Sequence, residues 1–146
     1  MKKSLAIATF AIPYLVAMAP ASAADARGKW LTEGGKAIVA IVSCGDALCG
    51  NVVSLNEPND PATGKPKTDI NNADASKRTR PVIGIQIVID MKRDGTEPKW
   101  KGQVYNAEDG KTYTGSITLV NGTTLNLQGC ALGGLICKTQ TWTRAN

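Results

Sequence analysis

The chain has 146 residues, with 17 Lys and Arg against 12 Asp and Glu, a formal net charge of +5 and no histidine. Without imidazole it lacks the usual neutral-pH base and the commonest metal ligand. The basic residues are scattered rather than gathered into a stripe interleaved with aromatics, so no nucleic-acid partner is expected.

Lys2 and Lys3 precede an apolar run over 5–19, and Ala21-Ser22-Ala23 has the A-x-A form of a leader cleavage site. Cleavage is expected after Ala23, leaving 24–146 as one domain in the periplasm. The apolar run is shorter than the roughly 20 residues a membrane span needs, and Pro13 breaks it. No stable membrane insertion is expected. No cysteine stands at the junction, so no lipid anchor is indicated.

The rest of the chain reads as β-structure. Eight strands are predicted near 28–32, 36–43, 48–55, 82–90, 98–105, 111–120, 123–130 and 135–144. In the sixth, Tyr113, Gly115, Ile117 and Leu119 alternate with Thr112, Thr114, Ser116 and Thr118, the period of a half-buried strand. Leu125 and Leu127 repeat the pattern in the seventh. Trp100, Gly102 and Val104 oppose Lys99, Lys101 and Gln103 in the fifth. In the fourth, Ile83, Ile85, Ile87 and Ile89 share a face. Asn121-Gly122 is a strong hairpin signal, and Gly34-Gly35, Asp94-Gly95, Asp109-Gly110 and Gly133-Gly134 mark further reversals. Eight strands in meander order predict an all-β, antiparallel up-and-down barrel, because closure removes exposed edges. A two-sheet sandwich is the structural rival.

All four cysteines lie in the exported part. Of three possible connectivities, Cys44–Cys49 and Cys130–Cys137 are favoured, since each pair brackets a glycine turn that brings two strands together. A zinc site built from the four thiolates has the wrong spacing, so no metal is expected. No cofactor is expected either.

One stretch breaks the rhythm. Residues 56–80 are rich in Asn, Asp, Pro, Lys and Thr and have no apolar face. A connection of this length is uncommon inside a compact domain and is often a lid or binding loop. Asp69, Asn72 and Arg80 are its candidate site residues: Arg80 can hold a carboxylate or phosphate bidentately, or Asp69 and Arg80 can pin the loop to the barrel rim. Trp100 and Tyr113 are candidates for lining a ligand cavity, or equally for filling a small core.

Gly28-Lys29-Trp30 near the start and Thr141-Trp142-Thr143-Arg144 near the end match the way barrels of the lipocalin superfamily lock one end. That resemblance implies a Trp30 ring that plugs the barrel and an Arg144 guanidinium stacked over it. More widely, the chain resembles the secreted bacterial family known as domain of unknown function 2147. The resemblance rests on Leu48-Cys49-Gly50, Gly64-Lys65-Pro66 with Asp69, Asn72 and Asp74, Arg80-Pro81-Val82-Ile83-Gly84, Gly102-Gln103-Val104-Tyr105, Asp109-Gly110-Lys111-Thr112-Tyr113 and the closing run to Arg144. It implies a periplasmic lipocalin-like barrel and brings no established activity. Asn106-Ala107 stands where the family often has Asp-Pro, and Ala73 where Pro is common after Asn72.

The functional expectation is a non-enzymatic binding protein that holds a small hydrophobic or amphipathic molecule in the barrel beneath the 56–80 loop. The alternative is a protein-binding module whose partner is another envelope protein, such as a protease or lysozyme inhibitor. Third comes an enzyme with a carboxylate-based site, for which Glu108 with Asp109 or Asp69 with Asp74 supply the pairs. Oligomeric state is not legible in the sequence.

Overall fold

The computed structural model describes residues 11–17 and 25–146. The expected leader cleavage site at 21–23 lies outside the described residues. Eight strands, β1 (Gly28–Leu31), β2 (Ala37–Cys44), β3 (Ala47–Leu55), β4 (Gln86–Arg93), β5 (Lys99–Asn106), β6 (Lys111–Asn121), β7 (Thr124–Ala131) and β8 (Ile136–Arg144), follow one another round a closed antiparallel barrel. Within the described residues no helix is long and apolar enough to cross a membrane.

Meander order sorts the connections between two ends. The β2–β3, β4–β5 and β6–β7 turns share one end with Trp30 and Arg144; the 56–85 connection and the β5–β6 and β7–β8 turns share the other. The first end is closed. Trp30 is fully buried and donates from Nε1 to the Ala26 carbonyl at 2.8 Å. Arg144 stacks 4.2 Å above the Trp30 ring centroid. Its guanidinium also donates to the carbonyls of Gly122 (2.7 Å), Arg27 (2.9 Å) and Asp25 (2.9 Å), so one side chain ties the last strand to the N-terminal segment and to the β6–β7 turn. Gly28 is needed for this approach: a Cβ there would lie 2.6 Å from Arg144 Nη1, and its φ of +125° suits glycine.

Trp142 and Trp100 add two more buried rings, the latter beneath Arg93 at 4.9 Å. Val39, Val88, Met91, Ile117, Leu125 and Trp142, from five strands, are at most 1% exposed. A side chain with no accessible surface faces no water-sized void, so the middle of the barrel around these residues is a packed core.

The fourth strand departs from its sequence pattern. It begins at Gln86 rather than near 82, and Ile83 is exposed. Ile85 is buried and Ile87 packs half-buried against the core as read, but the fully buried residues of the strand are Val88 and Met91, and Ile89 lies outside the core. The cause is a pair of irregularities. Pairing with β3 shifts beside Gly50, and pairing with β5 shifts between Ile89 and Lys92, where Asp90 takes φ +49°. Each inserted residue reverses which face the following side chains occupy. Gly102 on β5 makes room for the bulge, since a Cβ there would sit 2.5 Å from the Ile89 carbonyl oxygen.

Both hairpin disulfides form, Cys44–Cys49 at the closed end and Cys130–Cys137 at the open end. Non-reducing peptide mapping is expected to recover these two linkages alone; a Cys44–Cys130 peptide would contradict the hairpin arrangement.

Candidate functional site

The open end is built around the connection between β3 and β4, which is folded rather than loose. Two isolated bridges, Asn59 with Pro66 and Thr68 with Pro81, pair its arms, and Asp69 N–H donates to the Arg80 carbonyl at 2.9 Å. At its heart Asp69 is 0% exposed, and its carboxylate accepts three hydrogen bonds and makes one further ion-pair contact. Tyr105 Oη donates to Oδ1 at 2.6 Å, while Asn72 Nδ2 (2.8 Å), Arg80 Nε (2.9 Å) and Arg80 Nη2 (2.8 Å) converge on Oδ2. Burial alone would push this carboxyl up. The hydrogen bonds from Tyr105, Asn72 and Arg80, with the Arg80 charge, outweigh it and hold the pKa below its ordinary 3.8. Burial and the adjacent carboxylate raise Tyr105 above its usual 10.0.

These contacts fasten the loop to β5. Asn72 also donates to Tyr105 Oη at 3.0 Å, and Arg78 Nε reaches the Asn72 carbonyl at 2.8 Å. Asn71 Nδ2 donates to the Glu108 carbonyl at 2.9 Å across the β5–β6 turn. The fit there is close: a Cβ on Gly110 would fall 1.7 Å from the Asn71 carbonyl oxygen, so a side chain at 110 would push the loop off the rim. Asp69, Asn72 and Arg80 are therefore brought together as a pin, with Tyr105 as the partner that sequence reasoning missed.

Beside the pin lies a cleft of about 860 Å³, partly open to solvent. Its strand floor includes Ile89, Tyr105, Thr112, Thr114 and Cys130. These positions alternate with the inward-facing Val88, Val104, Gly115 and Leu127 and so belong to the outward register of β4 to β7. The loop supplies Asn72, Asp74, Lys77 and Arg80, and the β7–β8 turn supplies Leu132. Tyr113 joins the lining at the rim, its hydroxyl held by the Asp109 carboxylate, which raises the tyrosine pKa. Trp100 does not reach it; that ring belongs to the closed-end core on the opposite side of the molecule. Lys111, Tyr113 and Ala131, of the inward register, line the cleft as well, so the space available to a small molecule is at the rim of the open end, beyond the packed middle of the barrel.

Chemically the cleft offers cations and apolar surface together. Lys77 and Lys111 have no salt-bridge partner within 4.0 Å among the described residues, and Arg80 keeps part of its guanidinium exposed while bound to Asp69. Ile89 and Leu132 provide apolar contact. Among the described residues no three His, Cys, Asp or Glu side chains gather as a metal site requires.

An eight-stranded meander barrel, plugged at one end by a Gly-x-Trp strand and a stacked arginine, is a lipocalin-like fold. The chain belongs to the DUF2147 family, described as "Uncharacterized protein conserved in bacteria", which matches residues 28–144. Among solved structures it is similar to protein HP1028 from the human pathogen Helicobacter pylori, which belongs to the lipocalin family. The two share 24% identity and a TM-score of 0.70 over 85% of each chain, a likeness of fold. No curated protein matches the sequence.

Proposed function

We propose that the protein is a non-enzymatic binding protein of the bacterial periplasm, and that it holds a small amphipathic molecule in the open-end cleft. The observation that carries the reading is the lining itself: Lys77, Arg80 and Lys111 face the same 860 Å³ space as Ile89 and Leu132. Sites for small molecules have this size and this mixture of apolar surface with a few placed polar groups. The cationic side chains take the polar end of the ligand and the aliphatic ones its apolar part. The apparent leader and the two disulfides support an oxidising location outside the cytoplasm.

Native mass spectrometry of the protein purified from its own periplasm tests this reading. A retained small molecule is expected, and Lys77→Glu with Lys111→Glu is expected to lower its occupancy at least tenfold without changing the melting temperature by more than about 2 °C, since both side chains are surface groups. A co-purifying protein of defined mass in place of a small molecule would favour the module that recognises another envelope protein.

A further inference from the structure

At the open end the β7–β8 hairpin runs on past the rest of the wall. β6 last pairs with β7 at Thr114–Cys130, and β1 meets β8 only at Trp30–Arg144 and Leu31–Thr143. Among the described residues, 131–136 therefore pair with no strand beyond their own hairpin, and the Cys130–Cys137 disulfide closes its base. On this stapled tip Leu132, Leu135 and Ile136 are 70%, 85% and 61% exposed. Leu132 also takes φ +53°, ahead of Gly133 at +66° and Gly134 at +95°. The left-handed region suits the two glycines but strains a leucine. Leu132 is thus disfavoured twice, by its backbone and by water. Strain of this kind is kept where a side chain has to be presented.

The charge around the tip has one prevailing sign. Lys138 stands on β8 just beyond the disulfide, and Lys77 and Lys111 line the cleft that Leu132 borders; of the acids at this rim, Asp74 is occupied capping Ser76 and Asp109 is held by the Tyr113 hydroxyl and the Lys111 N–H. We propose that the tip docks reversibly on an anionic phospholipid surface, with Leu132, Leu135 and Ile136 entering the headgroup boundary and the lysines against lipid phosphates. Three apolar side chains on a convex tip fall well short of the roughly 1,200–2,000 Å² that a stable protein interface buries. A fluid headgroup layer yields to a convex probe, and it rewards both apolar burial and adjacent lysines.

The test uses the protein secreted through its own leader, co-sedimented with vesicles of phosphatidylethanolamine and phosphatidylglycerol or of phosphatidylcholine alone. The wild-type protein is expected to partition onto the phosphatidylglycerol vesicles, to weaken about fivefold for each of Lys111→Gln and Lys138→Gln, and to bind phosphatidylcholine less. Leu132→Asn combined with Leu135→Ser and Ile136→Thr is expected to lower binding tenfold or more with an unchanged melting curve, because asparagine accepts the left-handed backbone. Absent wild-type binding, equal binding by the triple variant, or a soluble envelope protein captured through the tip in place of vesicles would each overturn the proposal. Vesicle partition is read without the cleft ligand, so its outcome is separate from that of the small-molecule reading.

Discussion

Replacing Trp30 with alanine is expected to lower the folding free energy by about 3–5 kcal/mol, the range for deleting a fully buried large aromatic. The side chain closes one end of the barrel and is enclosed on all sides. Its loss leaves a void that β1 cannot collapse into, because β1 is held by β2 across Gly28–Ile41 to Leu31–Ile38 and by β8 at Arg144. It also strips Arg144 of the ring it stacks on at 4.2 Å and frees the Ala26 carbonyl that the indole N–H engages. Trp30→Phe keeps most of the volume and should cost less than half as much. Chemical denaturation reads both values, and a change of only a few tenths of a kcal/mol for the alanine variant would refute the plug.

The second large effect belongs to Asp69. The substitution Asp69→Asn exchanges the carboxylate for an amide and turns one acceptor into a donor where Asn72 and Arg80 already donate, so the shape survives while the hydrogen bonds do not. A loss of about 3 kcal/mol is expected, as for breaking a buried charge from its partners. The same carboxyl sets an acid limb. Its folded pKa lies below the ordinary 3.8, so its contribution is fully present above that value and disappears as pH falls through the folded pKa. Asp69→Asn should therefore flatten the fall in stability below about pH 4 relative to the wild-type protein. Equilibrium unfolding from acid to neutral pH shows it; an unchanged acid limb would mean that Asp69 is not the group responsible.

Much of the fold was legible because two-residue alternation and glycine turns are local signals. The strands from β5 to β8 and both disulfides follow from them directly, while the Trp30–Arg144 lock rests on the resemblance to lipocalin barrels. β4 did not, because its face depends on bulges that arise only when β3 and β5 are in place. Tyr105 was missed for a related reason: it shares the outward register of Lys99, Lys101 and Gln103, which reads as solvated until the loop folds over it. The usable signal was a lone aromatic on an otherwise polar face. Trp100 alternates inward as read, but alternation says nothing of which end a residue occupies. The meander order does, since β5 starts from the Asp94-Gly95 turn at the closed end. The apolar tip was hidden by a general tendency: leucine and isoleucine beside a turn usually fold back into a core, and here the hairpin outruns its neighbours.

The division of labour between the two ends is tested most directly by a crystal structure of the protein purified from its native source with whatever it retains. The predicted result is ligand density between Arg80, Ile89 and Leu132, with Trp30 and Arg144 in place at the far end. Density lodged among Met91, Leu125 and Trp142 in the interior, or ligand contacting the Trp30 end, would contradict it.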